Sequence, residues 1–134
     1  MRSLLVDSNI ILDILTEDRV WFDWSSKQLS EHAEQTTLII NPIIYAEISI
    51  RFESIADLEK SVPSDYFIRQ ALPWEAAFLA GKVFLKYKKN GGTKTAPLPD
   101  FFIGAHALVA DLTLLTRDKE RYKHYFPTLS IISP

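Results

Sequence analysis

Four carboxylates stand at positions where they could do chemistry: Asp7, Glu47, Asp100 and Asp118. Asp7 closes the apolar run Leu4-Leu5-Val6. Glu47 interrupts the apolar stretch from Pro42 to Ile50. Asp100 follows Pro99 at the mouth of the run Phe101 to Val109, and Asp118 follows Leu112 to Leu115 by way of Thr116-Arg117. Acids brought together by a fold repel one another and require a cation, and oxygen donors of this kind suit a hard divalent ion such as Mg2+ or Mn2+. Such a centre would lower the pKa of bound water and polarise a phosphoryl oxygen, which is the chemistry of metal-assisted phosphodiester hydrolysis. The same acids could serve one ion with outer contacts, or two ions about 3.5–4 Å apart. Asp7 and Asp100 are the expected direct ligands, with Glu47 and Asp118 completing the site or positioning the water.

Each acid alone has an ordinary structural reading. Asp7, Asp100 and Asp118 each precede or begin a predicted helix, where an acid can cap the helix or oppose its dipole. Glu47 lies close to Ile43, Ile44, Ile48 and Ile50 on one predicted helix, and an unpaired buried charge there is costly. Arg51, four residues on, offers it an i, i+4 pair worth only ~0.2–0.5 kcal/mol if exposed.

The elements that must position these acids follow from periodicity. Residues 3–7 read as a buried strand. Ser8 to Leu15 reads as a helix, with Ile10, Ile11, Ile14 and Leu15 on one face and Ser8 or Asn9 as a cap. Further helices are predicted over Val20 to Ala33, from Pro42 to about Phe52, and over Ile55 to Val62. Thr37 to Ile40 reads as a strand. Tyr66 to Leu72 is ambiguous. Trp74 to Lys89 is a helix ended by Asn90-Gly91-Gly92, and Thr93 to Pro99 is a loop. Asp100 to Asp111 is a helix, Thr113 to Thr116 a strand, Asp118 to Tyr125 a short helix and Leu129 to Ile132 a last strand. Short apolar strands between helices imply an α/β fold with a parallel sheet covered on both faces. Ligands of such sheets bind beyond the carboxyl ends of the strands.

The 134 residues suit one domain, residues 1–134. There is no cysteine, which excludes disulfides and thiolate metal sites. No apolar stretch reaches the ~18 residues of a membrane span, and the start is too short in apolar residues for a signal peptide. These features lead us to expect a cytoplasmic chain with no membrane partner. A net charge of −2 argues against a surface coated in positive charge. Two basic groups could still contact phosphates: Lys86, Lys88, Lys89 and Lys94 before Asp100, and Arg117, Lys119, Arg121 and Lys123 around Asp118. Basic residues at a solvated helix end are the alternative. His32, His106 and His124 have no metal-ligand spacing, and His106 reads as a packing residue. Trp21, Phe22 and Trp24 read as core; if exposed, they would mark a docking surface.

The runs Leu5-Val6-Asp7-Ser8-Asn9, Tyr45-Ala46-Glu47-Ile48, Pro99 to Ala107 (PDFFIGAHA) and Leu115-Thr116-Arg117-Asp118 occur in that order across the chain. Together they resemble the PIN-domain ribonucleases, most closely the VapC toxins of toxin–antitoxin pairs. The resemblance implies a PIN-like three-layer fold with a central parallel sheet of four to five strands flanked by helices. It implies RNA hydrolysis with Mg2+ or Mn2+, a homodimer and a small antitoxin protein. By position it carries the acidic roles to Asp7, Glu47, Asp100 and Asp118, and supporting polar roles to Ser8, Asn9 and Thr116. Relatives often have a further acid after the last; Glu120 is the candidate here, at unusual spacing. Asp13 is expected to face solvent or to support the site from behind. A non-catalytic RNA- or protein-binding module of the same fold is the alternative. An aspartyl-phosphate enzyme is a third reading, weakened because Asn9 stands where that class wants a second Asp.

Overall fold

The computed structural model describes residues 2–134. Five strands, β1 (Leu4–Val6), β2 (Leu38–Ile40), β3 (Phe67–Arg69), β4 (Thr113–Leu115) and β5 (Ile131–Ile132), form one parallel sheet in the order β3-β2-β1-β4-β5. Among the described residues seven helices flank it: α1 (Ser8–Leu15), α2 (Phe22–Ala33), α3 (Pro42–Ser49), α4 (Ile55–Ser61), α5 (Trp74–Lys89), α6 (Pro99–Val109) and α7 (Lys119–Tyr125). Leu4, Leu5 and Val6 are all fully buried. Successive strand side chains point to opposite faces, so helices cover both faces of β1. That is the three-layer arrangement the uninterrupted apolar runs require.

The sheet reverses its winding at β1. From β1 the chain moves to β2 and β3 on one side, and later returns to place β4 and β5 on the other. The crevice beyond the carboxyl ends of β1 and β4 is therefore the topological switch point, where α/β sheets bind ligands. Val6 lies in register with Leu115, and the Asp7 amide donates to the Leu115 carbonyl at 2.9 Å. Asp7 and Thr116 thus leave the sheet side by side.

The ambiguous Tyr66 to Leu72 segment contains β3, an edge strand whose residues are buried, exposed and half-buried in turn. Its apolar signal is weak because half of it faces solvent. The predicted bounds shift elsewhere. The first strand is trimmed to Leu4–Val6 and the last to Ile131–Ile132. The second helix begins at Phe22 rather than Val20, because Asp18 Oδ1 accepts from the amides of Val20 and Trp21 and folds them into a turn. α3 stops at Ser49, short of Phe52, and α4 at Ser61.

α6 runs from Pro99 to Val109 rather than from Asp100 to Asp111. Its end is closed by a left-handed residue. The Leu112 amide bonds back to the Ala107 carbonyl at 2.8 Å and the Asp111 amide to Leu108 at 3.3 Å, with Asp111 at φ +56°. α1 ends in the same way on Glu17, φ +49°, and α5 on Gly91, φ +91°. Only the last used the residue type that sequence reading expects at such a stop.

Gly104 fixes how α6 and α7 meet. A glycine inside a helix costs about 1 kcal/mol relative to alanine, and here a Cβ would run into the ring of Phe126, the residue that follows α7. The close approach draws α7 against α6 and so brings the two elements carrying Asp100 and Asp118 together. Gly104→Ala should therefore destabilise the chain by about 1–3 kcal/mol, despite its better helix propensity. Urea denaturation measures this, and a variant as stable as the parent would show that the Phe126 ring moves aside freely.

Candidate active site

Asp7 is the centre of the site. It is 4% exposed and begins α1, with its Oδ1 accepting from the Ser8 amide at 2.8 Å. Its Oδ2 accepts from the Thr116 hydroxyl at 2.7 Å, from the Tyr122 hydroxyl at 3.0 Å and more distantly from Asn9 Nδ2 at 3.4 Å. Each of the other three acids is reached through one of these donors. The Ser8 hydroxyl donates to Glu47 Oε1 at 3.0 Å. Asn9 Nδ2 lies 3.2 Å from Asp118 Oδ2 and 3.3 Å from Thr116 Oγ1. The Tyr122 hydroxyl lies 3.2 Å from Asp100 Oδ1. The fold thus brings together all four predicted acids; the predicted supporting residues Ser8, Asn9 and Thr116 tie Glu47 and Asp118 to Asp7, and Tyr122 ties in Asp100.

The capping readings separate at this point. Asp7 does cap α1. Asp118 precedes α7 but its side chain makes no capping bond, and Asp100 sits one residue inside α6, likewise without one. Glu47 is half-buried and forms no ion pair with Arg51 among the described residues; Ser8 holds it instead.

The electrostatics are those of a crowded acidic pocket. Burial pushes the Asp7 carboxyl up to about 6; hydrogen bonds from Thr116 and Tyr122 oppose the rise, and the charges of Asp100 and Glu47 add to it. Glu47 is raised chiefly by desolvation, with the Ser8 bond opposing. Burial also carries the Tyr122 phenol well above its ordinary value, reinforced by Asp7 and Asp100, so it remains a donor.

Arg121 is the cation in direct contact with these acids. Its Nη1 lies 2.9 Å from Asp100 Oδ2 and 3.7 Å from Asp118 Oδ2. Glu47, Asp100, Arg121 and Tyr122 line a cleft of about 380 Å3. Asp7 lies beneath them.

The donor set fits a hard divalent cation. Four carboxylates face one guanidinium. Glu47 Oε2 and Asp118 Oδ1 accept no hydrogen bond among the described residues, and Asp7 Oδ1 accepts one. Among the described residues no three His, Asp or Glu side chains are disposed to hold one ion between them. Magnesium keeps several waters and is often held by one or two carboxylates, so one or two of these acids with water would suffice.

The geometry decides between the two expectations for Asp13 and corrects those for several charged residues around Asp118. Asp13 does not face solvent: it is 2% exposed, accepts from the Ser25 hydroxyl at 2.7 Å, and pairs side-on with Arg117 at 2.8 and 3.1 Å. Arg117 is therefore committed inward and stacks over Trp21, while its amide donates to Asn9 Oδ1 at 3.3 Å. Asp13 supports the site from behind through that chain. Arg121 is an internal partner of the acids rather than a free phosphate contact, and Lys123 is tied to the Leu129 carbonyl. Glu120 is exposed and bonds to none of the four acids. The residue that sequence reading missed is Tyr122, which looks like the apolar face of a short helix. Its only signal is a phenol in a core position, since a buried tyrosine hydroxyl needs a partner. His106 is buried between Asn41 (2.9 Å) and Gln70 (2.8 Å), a satisfied packing residue as expected.

A parallel sheet covered on both faces, with acids gathered at its switch point, is the architecture of a PIN-type α/β domain. The family model described as the PIN domain matches residues 4–127, and the chain belongs to that family. Among solved structures, it superposes on a chain of the VapBC2 complex of Rickettsia felis bound to a promoter DNA fragment, with TM-score 0.74, 16% identity and 98% of each chain covered. VapBC-1 of nontypeable Haemophilus influenzae gives 0.73 and 18%, covering 98% of this chain and 97% of that one. A toxin–antitoxin complex from Klebsiella pneumoniae gives 0.66 and 22%, with the same coverage. At these identities the likeness establishes the fold. No curated protein sequence matches the chain.

Between its ordinary value of 3.8 and about 6, the folded metal-free chain keeps a proton on Asp7 that the unfolded chain has released. Stability therefore falls as pH rises through that window and stays lost above it. The loss is on the order of 3 kcal/mol at ~1.36 kcal/mol per pH unit. Asp7→Asn should abolish this contribution. Urea denaturation of both proteins with chelator at pH values below 3.8, near 5 and above 7 should show the parent losing ground to the variant as pH rises; a constant difference would refute the raised carboxyl.

Proposed function

We propose that the chain is a Mg2+- or Mn2+-dependent endoribonuclease that hydrolyses RNA phosphodiester bonds, acting in the cytoplasm as the toxin of a VapBC-type pair. The observation that carries this reading is the convergence of Asp7, Glu47, Asp100 and Asp118, each one hydrogen-bonded link from Asp7. Asp7 and Asp100 would hold the cation, with Glu47 and Asp118 completing the shell or orienting water. When bound, the ion supplies an activated water and relieves charge on the phosphate. The chain's own residues supply position. Thr116 and Asn9 keep Asp7 and Asp118 facing the same point, and Ser8 aims Glu47 at it. The basic last turn of α5, Lys86, Lys88 and Lys89, stands beside the cleft, because Tyr87 of that turn lines it. Phosphate contacts there give affinity that drops as salt is added. The structural relatives include VapBC and toxin–antitoxin complexes, which supports a small antitoxin protein as partner. One observation favours the alternative of a non-catalytic binding module: Arg121 already partly neutralises Asp100 and Asp118.

Expressing the chain and sequencing RNA ends separates the two. Cleaved ends should appear with Mn2+ or Mg2+, vanish with chelator, and fall by roughly 10²-fold or more in Asp7→Asn, the scale on which removing one preorganised electrostatic group acts. RNA bound but left intact under all conditions would select the binding module.

For the expected homodimer we favour a surface on α5 over the one marked by Trp21, Phe22 and Trp24. Trp21, Phe22 and Trp24 are half-buried. The exposed apolar stripe is on α5: Trp74 is 89% exposed, Phe78 69% and Leu85 49%. With Gly81, beside which a Cβ would meet nothing, they recur at i, i+4, i+7 and i+11, one face of a helix. Antiparallel pairing of two copies sets Trp74 against Leu85 and Phe78 against Gly81, large against small. It also brings Glu75 near Lys82 and Lys86 of the second copy, an isologous arrangement. Phe78→Glu should convert a dimer to a monomer in light scattering without loss of fold. A wild-type chain that remains monomeric at high concentration would reject the pairing.

A further inference from the structure

Tyr122 joins the two acids expected to ligate the ion, and nothing in the family resemblance assigned it a role. Its hydroxyl lies 3.0 Å from Asp7 Oδ2, at the end of β1, and 3.2 Å from Asp100 Oδ1, on α6. The ring is 1% exposed. Its backbone is held by the bond from the Phe126 amide to its carbonyl at 2.8 Å, and Phe126 is in turn seated against Gly104 of α6. The phenol has little freedom to move.

We propose that Tyr122 is a positioning residue: its hydroxyl sets the separation and orientation of Asp7 and Asp100 so that the pair accepts one divalent cation. The inference rests on the metal-dependent reading above. Three features support it. A phenol has a single proton, so it can donate to only one of the two oxygens at a time. The other contact sets lone pair against lone pair, and the trio is one proton short of two hydrogen bonds. On Asp7, the Oδ2 side is filled by Thr116, Tyr122 and Asn9, whereas Oδ1 accepts only from Ser8. The phenol thus grips the occupied side and leaves the other oxygen open for a ligand bond. On Asp100, Tyr122 holds Oδ1 while the exposed Arg121 holds Oδ2. Arg121 can swing away from the cleft, and the buried phenol then keeps Asp100 in place. Hydrogen-bond partners behind metal ligands typically account for ~10–100-fold in metal affinity.

The test is Mn2+ titration by calorimetry of the wild-type chain, Tyr122→Phe and Tyr125→Phe. Tyr125 lines the same cleft but bonds to neither acid. Tyr122→Phe should bind Mn2+ at least ~10-fold more weakly while retaining its circular dichroism spectrum, and Tyr125→Phe should bind like the parent. Equal or tighter binding by Tyr122→Phe overturns the inference; no binding by the wild type defeats the metal-dependent reading instead. A second measurement covers the case in which Tyr122→Phe fails to fold. Mg2+ added to the wild-type chain should perturb tyrosine near-UV absorbance in proportion to occupancy, and a flat titration in a chain that binds Mg2+ overturns the inference.

Discussion

Carboxylates forced into one pocket repel one another, and the molecule around Asp7 is organised by that repulsion. The chain meets it with nearby donors: the Ser8 amide, the hydroxyls of Thr116 and Tyr122, the amide of Asn9 and the guanidinium of Arg121. These donors do not remove the imbalance. Asp7 is still raised to about 6, chiefly because burial withholds solvent from its carboxylate, with the charges of Asp100 and Glu47 adding to the rise. A stability-driven design would place an apolar residue at Asp7, because a buried, partly satisfied carboxylate is costly.

The acids were legible in the sequence because a parallel sheet reduces placement to a rule. A polar residue that ends an apolar run lies at a carboxyl end, and Asp7 and the Thr116–Asp118 segment both satisfy it. Glu47 was legible by contrast with its isoleucines, although among the described residues it bonds to the Ser8 hydroxyl, distant in sequence, and not to Arg51. What stayed hidden depends on long-range pairing. Asp13 and Arg117 look like two surface charges until the β1–β4 pairing brings α1 beside the end of β4, where they meet at 2.8 Å. Tyr122 looks like core because it is core, apart from one atom. The strand β3 was hidden by its edge position, and the helix stops at Glu17 and Asp111 by their side chains, since a left-handed stop is ordinarily read from glycine.

The short segment Thr116–Arg117–Asp118 shows how a sheet end is converted into a site. Thr116 reaches Asp7 at 2.7 Å, Arg117 reaches Asp13 and Trp21, and Asp118 meets Asn9. Near a strand end, successive side chains diverge to opposite sides, so three adjacent residues can serve three different neighbours without competing. The buried pair of Asp13 and Arg117 adds little net stability once desolvation is counted. Its value lies in geometry: a side-on guanidinium has one orientation against a carboxylate, and that orientation fixes the backbone amide which holds Asn9 Oδ1 at 3.3 Å. Asn9 then has only its Nδ2 to offer the acids, and it turns that group toward Asp7, Thr116 and Asp118. A buried ion pair that contributes little to holding the fold together thereby decides which way an uncharged amide points, and that direction places Asp118 with the other acids rather than at the cap of α7.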